Sequence, residues 1–377
     1  MSLRIDAEFP GGNIIVERID GATAYVRQDL RDTASDWFYW YFRAQGAAGQ
    51  KLKIVFTGSP CIGVHGPAVS EDGGLNWRWL GEACVEGQSF THQVPANCNE
   101  VRYCVCVPYV QRDLDAWLAK HAGNPALAPE VLCKTQKPKG QERWIEGLKC
   151  GRLDGKAAQR VLLTARHHAC EATANFVLEG LFDAVLAEDE LGKWLRGHVE
   201  FWAIPFVDKD GVEQGDQGKY RKPHDHNRDY TDTPIYNPVR VLKQFAPEWC
   251  KGHTTLALDL HAPCLRGGMN ELLYFVGPPL PEHWAETQKL GRALEANLRG
   301  PLIYRAENNL PFGTDWNTDA SGLAKTFSRW VQTVPGVKLG VTLEIPYANA
   351  QGSEVNAAAL RAFGRDLAAA LGAYLKS

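Results

Sequence analysis

The segment Thr254-Thr255-Leu256-Ala257-Leu258-Asp259-Leu260 is apolar on both of its alternating faces, apart from Asp259. Successive side chains of a strand point to opposite sides, so such a strand has to be covered above and below. Val199 to Ile204 is another apolar strand, and Arg160 to Ala165, Lys338 to Ile345 and Leu272 to Gly277 read as strands as well. Helical stretches lie among them, at about Glu171 to Leu186, Pro281 to Leu298 and from about Glu354 onward. Strands alternating with helices predict an α/β domain with a sheet, mixed in direction and flanked by helices. In open sheets of this kind ligands bind beyond the carboxyl ends of the strands, so the residues just after each strand are where chemistry is expected.

The first part of the chain follows another pattern. From Asn13 to about Tyr109 short runs rich in β-branched and aromatic residues (NIIVERI, TAYVR, DWFYWYFRA, KLKIVFTG, VRYCVCVPY) are separated by Gly, Pro, Asp and Asn. That spacing predicts an antiparallel β-sandwich or small barrel as a domain over residues 1–110. Arg112 to His121 reads as a short helix, and the passage holding Gly123, Pro125, Pro129, Pro138 and Gly140 as loop, so that 111–140 forms a connector at the start of an α/β domain spanning 111–377.

Composition excludes several classes. The 377 residues hold 41 Lys and Arg against 44 Asp and Glu, a net charge of -3. A chain that wraps nucleic acid carries a basic excess, and this one has none. No stretch reaches the roughly 18 apolar residues of a membrane-spanning helix. The ten cysteines are scattered, with no CxxC pair, and read as reduced thiols; the start Met1-Ser2-Leu3-Arg4-Ile5-Asp6 lacks the apolar run of a signal peptide. These features predict a cytoplasmic protein with neither nucleic acid nor membrane as partner; they say nothing of oligomeric state.

Four elements follow the strands. After Val161-Leu162-Leu163-Thr164-Ala165 comes Arg166-His167-His168-Ala169-Cys170-Glu171, in which His168 and Glu171 can converge on one ion from a strand-to-helix turn. His261 ends the central strand; should that strand neighbour the first, two histidines and a carboxylate face one point, a donor set suited to hydrolytic zinc. Phe206-Val207-Asp208-Lys209-Asp210-Gly211 opens a polar loop leading to Arg221, Asn227 and Arg228, the last able to grip a carboxylate with two hydrogen bonds. Thr342-Leu343-Glu344 puts an acid in an apolar strand, where it is costly unless paired, metal-linked or used. Taken singly, each has a plainer reading: a helix-capping glutamate, a satisfied core histidine, a solvated arginine.

In this order the four elements resemble the zinc carboxypeptidase family, and most closely its cytosolic carboxypeptidase subfamily. The pattern H-x-x-E, N-P-D-G, Asn-Arg, a later His and T-x-E is met here by His168/Glu171, Asp208-Lys209-Asp210-Gly211, Asn227/Arg228, His261 and Thr342-Leu343-Glu344. Trp37-Phe38-Tyr39-Trp40-Tyr41-Phe42-Arg43 is similar to the W-F-Y-F signature of the subfamily's N-terminal sandwich, and Pro108-Tyr109 to its end. The chain departs from the family at Ala169-Cys170, where the subfamily has Pro-Gly, and at Asp208-Lys209, where it has Asn-Pro.

The resemblance implies one Zn2+ held by His168, Glu171 and His261, and Glu344 as the general base. It implies Arg221 as the oxyanion-stabilising arginine, with Asn227 and Arg228 on the carboxylate of a peptide or protein C-terminal tail. Eukaryotic members remove glutamates, and Arg266 is the candidate for holding an acidic side chain. Two other readings share these residues, an aspartoacylase-like zinc deacylase and a non-catalytic binding module on the same fold.

Overall fold

A computed structural model describes residues 2–138 and 140–377. Its centre is a seven-stranded mixed sheet. Across the sheet the strands run Leu127–Lys134, Trp144–Gly151, Val199–Ile204, Gln159–Ala165, Thr254–His261, Val337–Glu344 and Tyr274–Val276. The four strands from Val199–Ile204 to Val337–Glu344 are mutually parallel, and the others join antiparallel.

Both faces of the parallel core are covered, as the two-sided apolar strands require. Val161, Leu163, Ala165, Leu256, Leu258 and Leu260 share one hydrophobic cluster with helices Thr173–Leu186 and Ala357–Leu375. Leu162 and Ala257, at the alternate positions, belong to a second cluster with helices Asn237–Cys250 and Phe327–Val331. Burying a side chain of this size contributes roughly 1.5–3 kcal/mol, so strand direction and register are strongly determined here.

The N-terminal residues form two five-stranded sheets. One is antiparallel, with Tyr41–Gln45 and Glu100–Cys104 at its centre. The other is mixed: Thr23–Arg27 pairs with Lys51–Phe56 in parallel, which corrects the expectation of an all-antiparallel region. Aromatic rings join the two sheets, Trp40 with Phe56 at 4.8 Å and Phe90 with Tyr103 at 5.1 Å between centroids. The first hydrophobic cluster runs without a break from these rings to the helices of the larger sheet.

The stretch read as a connector is more ordered than its Pro and Gly content suggests. It carries helix Gln111–Lys120 and then Leu127–Lys134, the outermost strand of the seven. Pro129 is tolerated there because an edge strand leaves one side of its backbone unpaired.

Candidate active site

Parallel pairing brings three strand ends to one edge. Thr164 lies opposite Asp259, Asp259 opposite Thr342, and His261 opposite Glu344. The turn after Ala165 is set by Arg166, a left-handed residue (φ 61) whose buried guanidinium donates to the carbonyls of Ala169 and Tyr109 and to Asn175 Oδ1, each at 2.9 Å. A non-glycine residue is held in this region only when its surroundings over-determine it, and these three contacts do so.

Past that turn the two neighbouring histidines part. His168 Nδ1 lies 2.8 Å from Glu171 Oε1, and His261 Nδ1 lies 2.7 Å from Glu171 Oε2. Ligating atoms of His168, Glu171 and His261 all fall within 4.8 Å of one another, and all three residues are buried. His167 has both nitrogens engaged elsewhere, Nδ1 with Asp259 Oδ1 and Nε2 with Tyr230 Oη, each at 2.8 Å. His168 is therefore the histidine facing the cluster.

Carboxylates back both outward histidines. Asp259 Oδ2 is 2.7 Å from His261 Nε2, and Asp225 Oδ1 is 3.5 Å from His168 Nε2. Such partners fix ring orientation and raise the basicity of the nitrogen turned toward a metal. The electrostatics agree: burial opposes it, but His168, His261 and Lys219 together hold the Glu171 carboxyl well below its ordinary value. Two imidazole nitrogens and one carboxylate converging in a buried place fit a zinc-like divalent cation.

Glu344 stands beside this cluster. Burial raises its carboxyl above the ordinary value, and its Oε2 is buried without a hydrogen-bond partner. A cavity of about 510 Å³ opens in front, lined by His168, His261, Glu344, Asn227, Arg228 and Lys219 among others. Asn227 Oδ1 accepts from the Phe327 amide at 3.0 Å, while its Nδ2 lies 3.1 Å from His261 Nε2. The Arg228 guanidinium donates only to carbonyls, Asn227 O at 3.0 Å and Ser321 O at 3.5 Å, and makes no ion pair among the described residues.

Two arginines named from sequence lie elsewhere. Arg266 is exposed and does not line the cavity. Arg221 is turned away from it, with its three nitrogens on Asp32 (3.0 Å), Asp208 (2.6 Å) and Asp216 (2.8 Å).

Two cations inside the cavity escaped the sequence reading. Lys219 Nζ is 3.3 Å from Glu171 Oε1; burial opposes its charge, but Glu171 and Glu344 raise its pKa above the usual lysine range. Arg329 reaches the cavity from helix Phe327–Val331, its Nη1 buried without a partner and its Nη2 3.4 Å from Asn317 Oδ1. Burial lowers its pKa to about 10, and among the described residues it forms no ion pair. No local pattern marks either residue: Lys219 stands out by its position beside Glu171, and Arg329 by the partner its Nη1 lacks.

No protein-family model matches the chain. In structure it is similar over its whole length to a metallo-carboxypeptidase from Burkholderia cenocepacia, with a TM-score of 0.78, 20% identity and coverage of 100% of this chain and 99% of that one. In sequence it is 22% identical over 295 residues to cytosolic carboxypeptidase 6 of Caenorhabditis elegans, covering 69% of this chain and 62% of that protein. The chain is similar to metallo-carboxypeptidases in fold and to the cytosolic carboxypeptidases in sequence. It is also 28% identical over 224 residues to an uncharacterized protein of Zymomonas mobilis, covering 57% of this chain and 56% of that one. The alignments thus span less than two thirds of either sequence relative. Carboxypeptidase relatives are hydrolases, and neither the deacylase nor the binding-module reading is favoured by these likenesses. Among the described residues no helix is long and apolar enough to cross a membrane.

Proposed function

We propose that this protein is a metallocarboxypeptidase that removes the last residue of a peptide or protein tail, with a preference for an acidic one. The observation that carries the reading is the meeting, in one cavity, of the His168/Glu171/His261 cluster, the unpartnered acid Glu344 and two guanidiniums without counter-ions, Arg228 and Arg329.

Zinc bound by His168, Glu171 and His261 would supply Lewis acidity and a water of lowered pKa. Glu344 takes a proton from the attacking water and passes it to the leaving amine, a task suited to a carboxyl whose affinity for protons burial has increased. Arg228, helped by the Asn227 amide, holds the free carboxylate of the substrate in a two-pronged contact. Arg329 then faces the side chain of the last residue, replacing Arg266 in that part. A buried guanidinium with no carboxylate of its own is costly to hold, and an incoming aspartate or glutamate side chain relieves that cost. Ten cysteines free of disulfides, seven of them buried and two more partly so, accord with a reducing, cytoplasmic setting.

The test is a peptide series differing only in the last residue, each as free acid and as amide, incubated with zinc-loaded protein. Cleavage of free acids with acidic ends preferred supports the proposal. Amides cleaved as fast as acids would sink it. Arg329→Met should lower kcat/KM for glutamate-ended peptides by about 10- to 100-fold and leave alanine-ended ones within a few-fold.

A further inference from the structure

The segment from Asp216 to Arg221 carries two cations that point in opposite directions. Arg221 has a carboxylate on each of its three guanidinium nitrogens. It does not line the cavity, so its guanidinium is held away from a reacting group there. Lys219 lines the cavity with His168, His261 and Glu344, its side chain is 17% exposed, and its only ion pair among the described residues is with Glu171 at 3.3 Å. An ammonium has three N–H donors, so two remain for something entering the cavity.

We propose that Lys219 is a catalytic residue whose ammonium donates to the carbonyl oxygen of the scissile bond as that oxygen gains charge, the part that the motif order implied for Arg221. The proposal rests on the peptidase reading of the same site. When water adds, an oxygen lone pair forms the new C–O bond, one water proton goes to Glu344, and the carbonyl π pair moves onto the oxygen facing Lys219. Lys219 keeps its own protons throughout; it lowers the energy of the anion by a charge-assisted hydrogen bond in a place largely closed to water. The C–N bond then breaks with its pair on nitrogen, which takes the proton from Glu344, and the new carboxylic acid gives its remaining proton to the amine.

The N-terminal residues put Lys219 there. The amides of Gln217 and Gly218 donate to the two oxygens of Asp32, at 3.0 and 2.8 Å. The Gln217 side chain accepts from the Tyr39 amide at 2.8 Å and donates to the Tyr39 carbonyl at 2.9 Å. The Trp37 ring lies 5.0 Å from Lys219 Nζ, within cation–π range. Gly218 (φ +76) lets the loop press against the His168 turn, for a Cβ there would lie 2.0 Å from the Ala169 amide nitrogen. Residues from the first forty of the chain therefore orient a group at the reaction centre.

The experiment uses the full chain with zinc and compares wild type, Lys219→Met and Lys219→Arg. Calorimetry measures affinity for a phosphinic peptide, a tetrahedral anion shaped like the charged intermediate, and for the amino-acid product; kcat, KM and metal content are measured alongside. Lys219→Met should keep metal and product affinity, bind the phosphinate about 10²-fold or more weakly, and lose a like factor in kcat with KM little changed. Lys219→Arg should recover part of both losses. Phosphinate affinity unchanged in Lys219→Met overturns the proposal, and so does loss of metal in that variant, which would make the residue structural. A wild type that binds the phosphinate in a Lys219-dependent way yet cleaves no free-acid peptide supports the charge contact and overturns the peptidase reading instead.

Discussion

Glu171 Oε2 lies 2.7 Å from Nδ1 of His261, ninety residues further along the chain, while its other oxygen is 2.8 Å from His168 Nδ1. One carboxylate thus stands between two imidazoles, in a place where charge is expensive unless balanced. A divalent cation would balance it and replace protons on the rings. One metal ion per chain is expected by elemental analysis, and removing it with a chelator should lower Tm. Glu171→Gln should bind the metal weakly and show little further loss of Tm with chelator. An unchanged Tm in the metal-stripped wild type would count against the assignment.

Glu344 separates a structural acid from a working one. Its Oε2 has no partner to lose, so Glu344→Gln, nearly isosteric, should keep the fold and the metal. An amide cannot accept the proton from water, and general acid–base help is worth roughly 10²–10⁴-fold. The variant should lose at least about two orders of magnitude in kcat with KM little changed. Activity near wild type in the metal-loaded variant would move the search for a base to another acid of the cavity.

Arg228 donates to two carbonyls and to no carboxylate, so replacing it leaves no buried anion unpaired. Arg228→Ala should therefore fold and hold metal normally. It should lower kcat/KM for free-acid peptides by about 10-fold or more while leaving amidated peptides at their already low rate. An equal effect on acids and amides would contradict carboxylate binding by this residue.

His226 offers a pH test that does not depend on catalysis. Its ring stacks on Tyr236 at 3.7 Å, and burial pushes its pKa down to about 4 despite the neighbouring Asp208. A histidine depressed in the folded state contributes stability that is present above its unfolded pKa of about 6.5 and is lost as pH falls through the folded value. Measured by urea unfolding, wild type should lose about 3 kcal/mol relative to His226→Gln between about pH 7 and pH 3.5. Carboxylates that titrate equally in both proteins cancel in the difference. A difference that stays constant over this range would show that His226 is not held neutral by burial.

Local physics explains what could be read from the chain alone. A strand apolar on both faces has to lie inside a covered sheet wherever the rest of the chain goes, and Val199 to Ile204 and Thr254 to Leu260 are found inside one. His168, Glu171, His261 and Glu344 sit at or just after strand ends, so strand position alone brought them into view, and parallel pairing then set them side by side. The edge strand Leu127–Lys134 was hidden because its pairing tolerates Pro129, and the parallel pair Thr23–Arg27/Lys51–Phe56 because strand direction leaves no mark in composition.

Cations were the other matter that needed the tertiary structure. Lys219 and Arg221 are two residues apart, and either could have faced the cavity. Tyr220, left-handed between them (φ 54), and Asp32, nearly two hundred residues earlier, turn Arg221 outward and Lys219 inward. Arg329 resembles any surface arginine in sequence, whereas Arg266, beside the His261 strand, looked better placed. Where a long charged side chain ends depends on partners supplied by distant segments, because its charge is worth most where those partners exclude water and either pair it or leave it free. Strand apolarity and the order of ligands belong to the sequence by itself; which positive charges meet the substrate was decided only when the chain closed on itself.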